Sequence, residues 1–171
     1  AILAGQAPAE GQGIHRRLEE ISGTTTRAIE EVRRITHGLR PYQLDRLGLT
    51  QAIRALVSQT TENTTISFAS RIEDIDGLFD KDAEIHTYRI VQEALTNAIK
   101  HSRARVVRVT LGVDHDGDAQ WLSIRVTDNG RGLAATGNVT GRGMLNMKSR
   151  AARIAAYLKV ESIPGAGTMI L

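Results

Sequence analysis

Four polar residues lie close together in the segment QEALTNAIKH, where most of their neighbours are apolar. They are Glu93, Asn97, Lys100 and His101, at successive spacings of four, three and one. In a helix, these spacings place at least three of the polar groups on one side. The Asn97 amide oxygen suits Mg²⁺, which retains several waters and takes one or two protein ligands together with phosphate oxygens. Taken alone, the pattern is more typical of a solvated helix face.

Three glycine-rich turns follow this segment: DNGRG over 128–132, TGRGM over 140–144 and PGAGT over 164–168. Glycines let a backbone approach a ligand closely and adopt positive φ. The second turn opens a predicted helix, whose free N–H groups favour phosphate. Asp128, at the end of a predicted strand, supplies an acceptor for an exocyclic amine at the floor of a pocket. One such turn is weak evidence, but the three in this order predict a site for a nucleoside triphosphate.

Composition excludes several other kinds of site. The 171 residues contain no cysteine, which rules out disulfides, thiolate metal sites and cysteine nucleophiles. The net charge is +3, but Lys and Arg are spread along the chain without a dense run, so no nucleic-acid partner is expected. No apolar stretch approaches the roughly 20 residues of a transmembrane helix. We expect a cytoplasmic domain that is attached to a membrane, if at all, only through segments outside this sequence.

The first predicted element is a long helix with a heptad pattern. From Ile14 to Leu39, apolar or small residues recur at alternating spacings of four and three, and Gly38 followed by Pro41 ends the helix. The pattern fits either an amphipathic helix packed on its own domain or one helix of a dimerisation bundle. We predict that residues 1–45 form a tail and part of such a bundle, and that 46–171 form a separate domain.

In the second part, helical and strand patterns alternate. A long helix capped by Asp80 or Asp82 runs to about His101, and two alternating strands follow, joined by DHDGD in a hairpin. Helices are also predicted over 49–60 and 144–156, and strands over 65–70, 158–162 and 168–171. Late antiparallel hairpins among interleaved helices predict an α/β fold, a two-layer α/β sandwich on a mixed sheet, preceded by the long N-terminal helix.

Together, the helix motif with Asn97 and the turns DNGRG, GRGM and GAGT resemble the N box and glycine boxes of the Bergerat-fold (GHKL) ATPases, which include histidine kinases, gyrase, a heat-shock chaperone and mismatch-repair ATPases. Within that superfamily, RIVQEALTNAIKHS, with EVRRITHGLRP and LGLTQAI upstream, is similar to sensor histidine kinases of the nitrate-sensor type. The resemblance covers nearly all of 29–171. It implies ATP and Mg²⁺ as cofactors.

The resemblance also implies a role for each motif residue. Asn97 is the implied Mg²⁺ ligand, and Glu93 the residue that polarises the phosphate acceptor or a water. Lys100 and His101 are expected near the phosphates and the metal, and Asp128 at the adenine amino group. The implied turn residues are Gly130 and Gly132 at the adenine, Gly141 and Gly143 in the lid, and Gly167 with Thr168 behind the base.

Two features depart from that family. Ala155 and Ala156 stand where relatives usually carry a glycine pair, which puts the local turn in question. The helix with the phosphorylated histidine should precede the first predicted helix, where only residues 1–13 lie. His115 has the expected H-D-x-x-x-Q spelling, but it falls in the predicted hairpin, and His37 falls at a helix end. We therefore expect the acceptor histidine outside this chain.

The leading hypothesis is the ATP-binding catalytic portion of a two-component sensor histidine kinase, which transfers the γ-phosphoryl group of Mg-ATP to a histidine outside this chain. Its expected partners are the phosphoacceptor helix of the full-length kinase, a response regulator and, in full-length form, a second copy. Two alternatives remain: a non-catalytic nucleotide-gated interaction module, and an ATP hydrolase related to the chaperone and gyrase. The short lid between Gly132 and Gly141 disfavours the hydrolase.

Overall fold

The computed structural model describes residues 41–116, 119–133 and 141–171, together with Ser22. Apart from Ser22, the predicted N-terminal helix lies outside the described residues, as do His37 and most of the lid. The division at residue 45 stays a prediction. Among the described residues, no helix has the length and apolar character needed to cross a bilayer.

Three helices and five strands make up the described part of the chain. In chain order they are α1 (Tyr42–Glu62), β1 (Ser67–Ile72), α2 (Lys81–His101), β2 (Val106–Asp116), β3 (Ala119–Asp128), α3 (Arg142–Arg153), β4 (Val160–Ile163) and β5 (Gly167–Ile170).

The five strands form one mixed sheet in the order β1-β2-β3-β5-β4. β1 pairs with β2 in parallel, and the other neighbours are antiparallel. Alternate residues of β2 (Val107, Val109 and Leu111) are fully buried, so one face of the sheet packs against a helical layer. The helices contribute the apolar partners, including Ile53 and Leu95. The predicted two-layer α/β fold is confirmed.

α1 is interrupted at Gly48, whose φ of 76° and ψ of 172° are not helical. The longer helical part therefore begins at Leu49, as the sequence predicts, but a short helical segment from Tyr42 to Leu47 precedes the kink. The backbone N–H of Thr50 donates to Asp76 Oδ1 at 2.9 Å. The Asp76 carboxylate, 26 residues away in sequence, thus replaces a local N-cap where the helix continues after the kink.

α2 positions the central polar residues. Asp80 caps it, because its Oδ1 accepts the N–H of Ala83 at 2.7 Å. That contact decides between the two predicted caps, and Asp82 lies in the first turn. Tyr88 and Leu95 belong to the apolar stripe of α2 and are buried. Because this stripe packs into the core, the opposite face of α2 is held toward α3 and the cavity described below.

The segment HDGDAQ lies in a β-hairpin. His115 belongs to β2, is exposed, and pairs with Gln120 of β3 in the antiparallel register. The prediction that His115 lies in a hairpin and not on an exposed bundle helix is therefore confirmed. Its predicted place in the connection between the strands is wrong, because β2 and its pairing with β3 continue to Asp116.

α3 ends at Arg153, three residues before the predicted end at Ala156. The reason is a left-handed residue: Ala155 has a φ of 51°, which a helix cannot continue. The turn that a glycine pair would form is thus present here, with a strained alanine in the left-handed conformation.

Replacing Ala155 by Gly is expected to raise the free energy of unfolding by about 0.5–1 kcal/mol. The left-handed conformation costs an L-residue roughly 1–2 kcal/mol, and the greater freedom of glycine in the unfolded chain offsets part of that gain. Urea denaturation would measure the change. The control is Ala156→Gly, which removes a methyl group beside the strained residue and is expected to give no gain. Equal stability of the Ala155→Gly variant and the wild type would contradict the strain.

Candidate functional site

The predicted site residues converge on a cavity of about 550 Å³ between the helical layer and the sheet. Those that line it are Glu93, Asn97, His101, Asp128, Gly132, Gly141, Gly143 and Thr168. Lys100 is exposed on α2 and does not line it, and Gly130 and Gly167 are buried behind its wall. A separate cavity of about 590 Å³ beside Trp121 contains none of these residues.

Asp128 is the acidic residue at the sheet end of the cavity. It ends β3 and pairs with Thr168 of β5. Its Oδ1 accepts the N–H of Gly130 at 2.8 Å, which orients the carboxylate. Partial burial raises the pKa of Asp128, while the backbone N–H groups of Gly130 and Thr168 act in the opposite direction. Such an oriented, partly desolvated acceptor can hold a donor such as an exocyclic amine.

The turn after Asp128 is held against the end of α2. Asn129 Oδ1 accepts the N–H of Val106 at 2.8 Å, and the N–H of Arg131 donates to the carbonyl of Ser102 at 2.7 Å. A Cβ added at Gly130 would lie only 2.2 Å from the same carbonyl oxygen. The turn can therefore approach α2 this closely only with glycine at that position.

The start of α3 meets the polar face of α2. A Cβ at Gly143 would lie 1.9 Å from Glu93 Oε1 and 3.5 Å from Asn97 Nδ2, whereas one at Gly141 would meet nothing within 4 Å. Gly141 is the N-cap of α3, and no side chain caps this end. The first helical bond runs from the N–H of Leu145 to Gly141 O at 3.1 Å, so the N–H groups of 142–144 have no acceptor within the helix. Such an end favours phosphate.

Two arginines of the cavity wall were not among the predicted site residues. Arg131 and Arg142 both line the cavity, and the Arg131 Nε donates to the carbonyl of His101 at 2.8 Å. The sequence carried a signal for both, because each stands between the two glycines of a G-x-G turn. Positive charge near the uncapped helix end suits an anionic ligand.

Ser162 is a further residue that the sequence did not single out. Its Oγ accepts the N–H of Leu133 at 2.8 Å and lies 3.1 Å from Thr168 Oγ1. β4, β5 and the segment leading to the lid are thus joined behind the cavity. No local motif marks Ser162, since its partners come from other parts of the chain.

A metal held by protein side chains alone does not fit the described residues, because they contain no group of three His, Asp or Glu side chains close enough to share an ion. A Mg²⁺ ion with phosphate and water ligands needs only one or two protein oxygens. Asn97, beside Glu93 in the cavity wall, can supply one. The residues therefore fit a metal that arrives with a polyphosphate.

Comparisons with known proteins agree with this geometry. Residues 82–171 match the family described as histidine kinase-, DNA gyrase B-, and HSP90-like ATPase. The chain is 32% identical over 156 residues to the sensor histidine kinase LiaS of Bacillus subtilis (strain 168), covering 91% of this chain and 42% of that protein. It is 32% identical over 152 residues to the oxygen sensor histidine kinase NreB of Staphylococcus carnosus (strain TM300), covering 89% and 43%. The chain therefore spans less than half the length of these relatives.

Among solved structures, the blue-light activated histidine kinase of Erythrobacter litoralis EL346 is similar, with a TM-score of 0.59 and 22% identity over 72% of this chain and 39% of that one. This likeness concerns the fold. The family match covers the long helix, the hairpin and all three glycine-rich turns. The chain belongs to the family of histidine kinase-, DNA gyrase B- and HSP90-like ATPases.

Proposed function

We propose that this chain is the ATP-binding catalytic portion of a sensor histidine kinase, which transfers the γ-phosphoryl group of Mg-ATP to a histidine outside the chain. The observation that carries the proposal is the meeting of Glu93 and Asn97 with the uncapped start of α3 at Gly143, in one cavity with Asp128. A hydrogen-bond acceptor for an amine and hydrogen-bond donors for phosphate thus lie in a single cavity large enough for a nucleotide.

Each residue has a stated task in this proposal. Asp128 accepts a hydrogen bond from the adenine amino group, and the N–H groups at the start of α3 bind the phosphates together with Arg142. Asn97 holds the Mg²⁺, which, when bound, neutralises charge on the phosphate oxygens. His101, one helical turn after Asn97, lines the same cavity, and we assign it to the phosphates and the metal.

The transfer needs positioning more than covalent help from the protein. An imidazole nitrogen of the acceptor attacks the γ-phosphorus, the bond from that phosphorus to the β,γ-bridging oxygen breaks, and ADP leaves. Glu93 polarises the acceptor by taking a hydrogen bond from its ring N–H. A carboxylate in this role distinguishes a transferase from a module that only binds nucleotide.

Replacing Asn97 by Ala is expected to weaken Mg-ATP binding at least about tenfold, because a metal ligand is lost, while the fold is retained. Calorimetric titration with ATP in the presence and absence of Mg²⁺ would measure the effect, and circular dichroism would check the fold. Asn146→Ala, at an exposed position of α3, is the matched control and should bind normally. Undiminished Mg²⁺-dependent binding by the Asn97→Ala variant would remove Asn97 from this role.

The kinase proposal itself is tested with labelled ATP and two substrates. The isolated chain should bind ATP without acquiring an acid-labile label, whereas a helix-hairpin fragment of the parent kinase with a His-acid pair should acquire one. Binding without any label would favour the nucleotide-gated module, and steady hydrolysis by the isolated chain would favour the ATP hydrolase. Label on the chain would show that it contains its own acceptor.

Partners and location follow from the same proposal. A response regulator would receive the phosphoryl group from the acceptor histidine, and the full-length kinase would be a homodimer through a helical bundle. The catalytic portion would work in the cytoplasm, where ATP is available, whether or not other segments of the parent protein cross a membrane.

A further inference from the structure

Four basic side chains lie together where α2 packs against α3, outside the nucleotide cavity. They are His86 and Arg89 on α2 and Arg150 and Arg153 on α3, and we call them the cationic groove. Arg150 Nη1 lies 3.5 Å from His86 Nδ1, although 64 residues separate them in sequence. No motif in the sequence marks this groove.

The charges of the cationic groove act on one another. Burial lowers the pKa of Arg150, and Arg89 and Arg153 lower it further, while Glu93 acts in the opposite direction. The pKa of His86 is also lowered, first by burial and then by the positive charges of Arg150 and Arg153, whereas Asp82 acts to raise it.

Within the part of the chain that the structure describes, neither Arg150 nor Arg153 forms an ion pair. Partly desolvated like charges are unfavourable unless an anion is supplied. The groove therefore suits a negatively charged ligand or partner.

The groove leads directly to the proposed transfer site. His86, Arg89, Glu93 and Asn97 follow at spacings of three, four and four along α2, which keeps them on one side of the helix. At about 1.5 Å per residue, Arg89 lies roughly 12 Å along the helix from Asn97. A macromolecule that brings a histidine to Glu93 therefore reaches over the groove, whereas a small phosphate acceptor would not.

We propose that the cationic groove docks carboxylate side chains of the helical segment that carries the acceptor histidine, one to three turns from that histidine. The inference rests on the proposed kinase function and deepens it by naming the chemistry of the partner surface. Carboxylates placed there neutralise the mutual repulsion of the arginines and set the register of the acceptor helix. Charge pairs of this kind influence the association rate and the specificity of a complex.

The test compares charge-reversed variants of this chain in phosphoryl transfer to the helix-hairpin fragment of the parent kinase, with ATP binding measured separately. Arg153→Glu is the main variant because Arg153 is exposed, and Arg150→Glu is the stronger but partly buried one. Lys148→Glu, at an exposed position of α3 outside the groove and the cavity, is the matched control.

For both arginine variants we expect the KM for the fragment to rise about tenfold or more, with unchanged affinity for Mg-ATP and a weaker salt dependence of transfer. The Lys148→Glu control should behave like the wild type. Replacing the facing Asp or Glu of the fragment by Lys should restore transfer to the charge-reversed variants.

Three results would overturn the inference. Transfer by Arg153→Glu equal to that of the control would show that the groove is not a docking surface. Loss of Mg-ATP affinity in the folded variants would assign the cations to the nucleotide instead. A failure of every Lys replacement in the fragment to restore transfer would exclude carboxylate pairing. Failure of the kinase proposal looks different, because the wild type would then bind ATP and label no fragment at all.

Discussion

Replacement of Asp128 by Asn is expected to weaken ATP binding by about ten- to hundredfold, since a hydrogen bond to a charged group contributes roughly 1.5–3 kcal/mol. The amide retains one oxygen, which the N–H of Gly130 already occupies in the wild type at 2.8 Å. Its NH₂ group would then face the adenine amine, placing two donors against each other. Calorimetric titration with Mg-ATP measures the loss.

The same variant should not lose stability. The pKa of Asp128 is raised by burial, so the folded chain binds a proton more readily than the unfolded chain, and ionisation destabilises the fold as the pH rises through the folded pKa. Asn cannot ionise. The unfolding free energy of the variant relative to the wild type should therefore increase as the pH rises above about 4, the ordinary range of an Asp, and should show no such gain below it.

Inosine triphosphate sharpens this test, because it carries a carbonyl oxygen where ATP carries the amine. The wild type should prefer ATP, and the preference should fall or reverse in Asp128→Asn, whose NH₂ can donate to that oxygen. Asp114→Asn, at an exposed position of β2, is the control and should leave both affinities unchanged. An undiminished preference for ATP in the Asp128→Asn variant would show that Asp128 does not accept a hydrogen bond from the adenine amino group.

Replacement of Gly143 by Ala is expected to lower phosphoryl transfer by about a hundredfold, the lower end of the roughly 10²–10⁴-fold that a positioned general acid or base contributes. The new Cβ would stand 1.9 Å from Glu93 Oε1, so the carboxylate must move. Little stability should be lost, because the displaced atom is the tip of a flexible side chain and alanine favours helix. Transfer to the helix-hairpin fragment and urea denaturation measure the two effects.

Gly141→Ala supplies a control within the same turn, since a Cβ at Gly141 meets nothing within 4 Å. It should transfer nearly as well as the wild type. In the double variant Gly143→Ala, Glu93→Ala, the clash is removed, so any loss of Mg-ATP affinity should be recovered while transfer stays low. Equal transfer by the two single glycine variants would contradict a role for the close approach of α3 to Glu93.

Much of the fold follows from local pattern. The alternation over β2 and β3 and the turn residues between them predicted the hairpin, and the apolar stripe of α2 predicted both its existence and its end near His101. Helix ends were less predictable. α3 stops at Arg153 because Ala155 adopts positive φ, and an alanine in the sequence does not indicate that conformation. The capping of α1 by Asp76 depends on a contact across 26 residues and has no local signature.

The candidate site divides in the same way. The glycine turns and the polar face of α2 identified eight of the residues that line the cavity, because each motif is a short segment with a local physical meaning. Arg131 and Arg142 stood inside those turns and became site residues only when the cavity showed where they lie. Ser162 and the cationic groove had no motif of their own.

By itself, the sequence determined which segments bear the chemistry of this protein, since helical period, strand alternation and glycine turns are properties of neighbouring residues. The tertiary structure alone decided which of those groups meet. Gly143 approaches Glu93, and Arg150 approaches His86, because α3 packs against α2. Distances between residues far apart in the chain depend on how helices and sheet pack, and no local pattern specifies them.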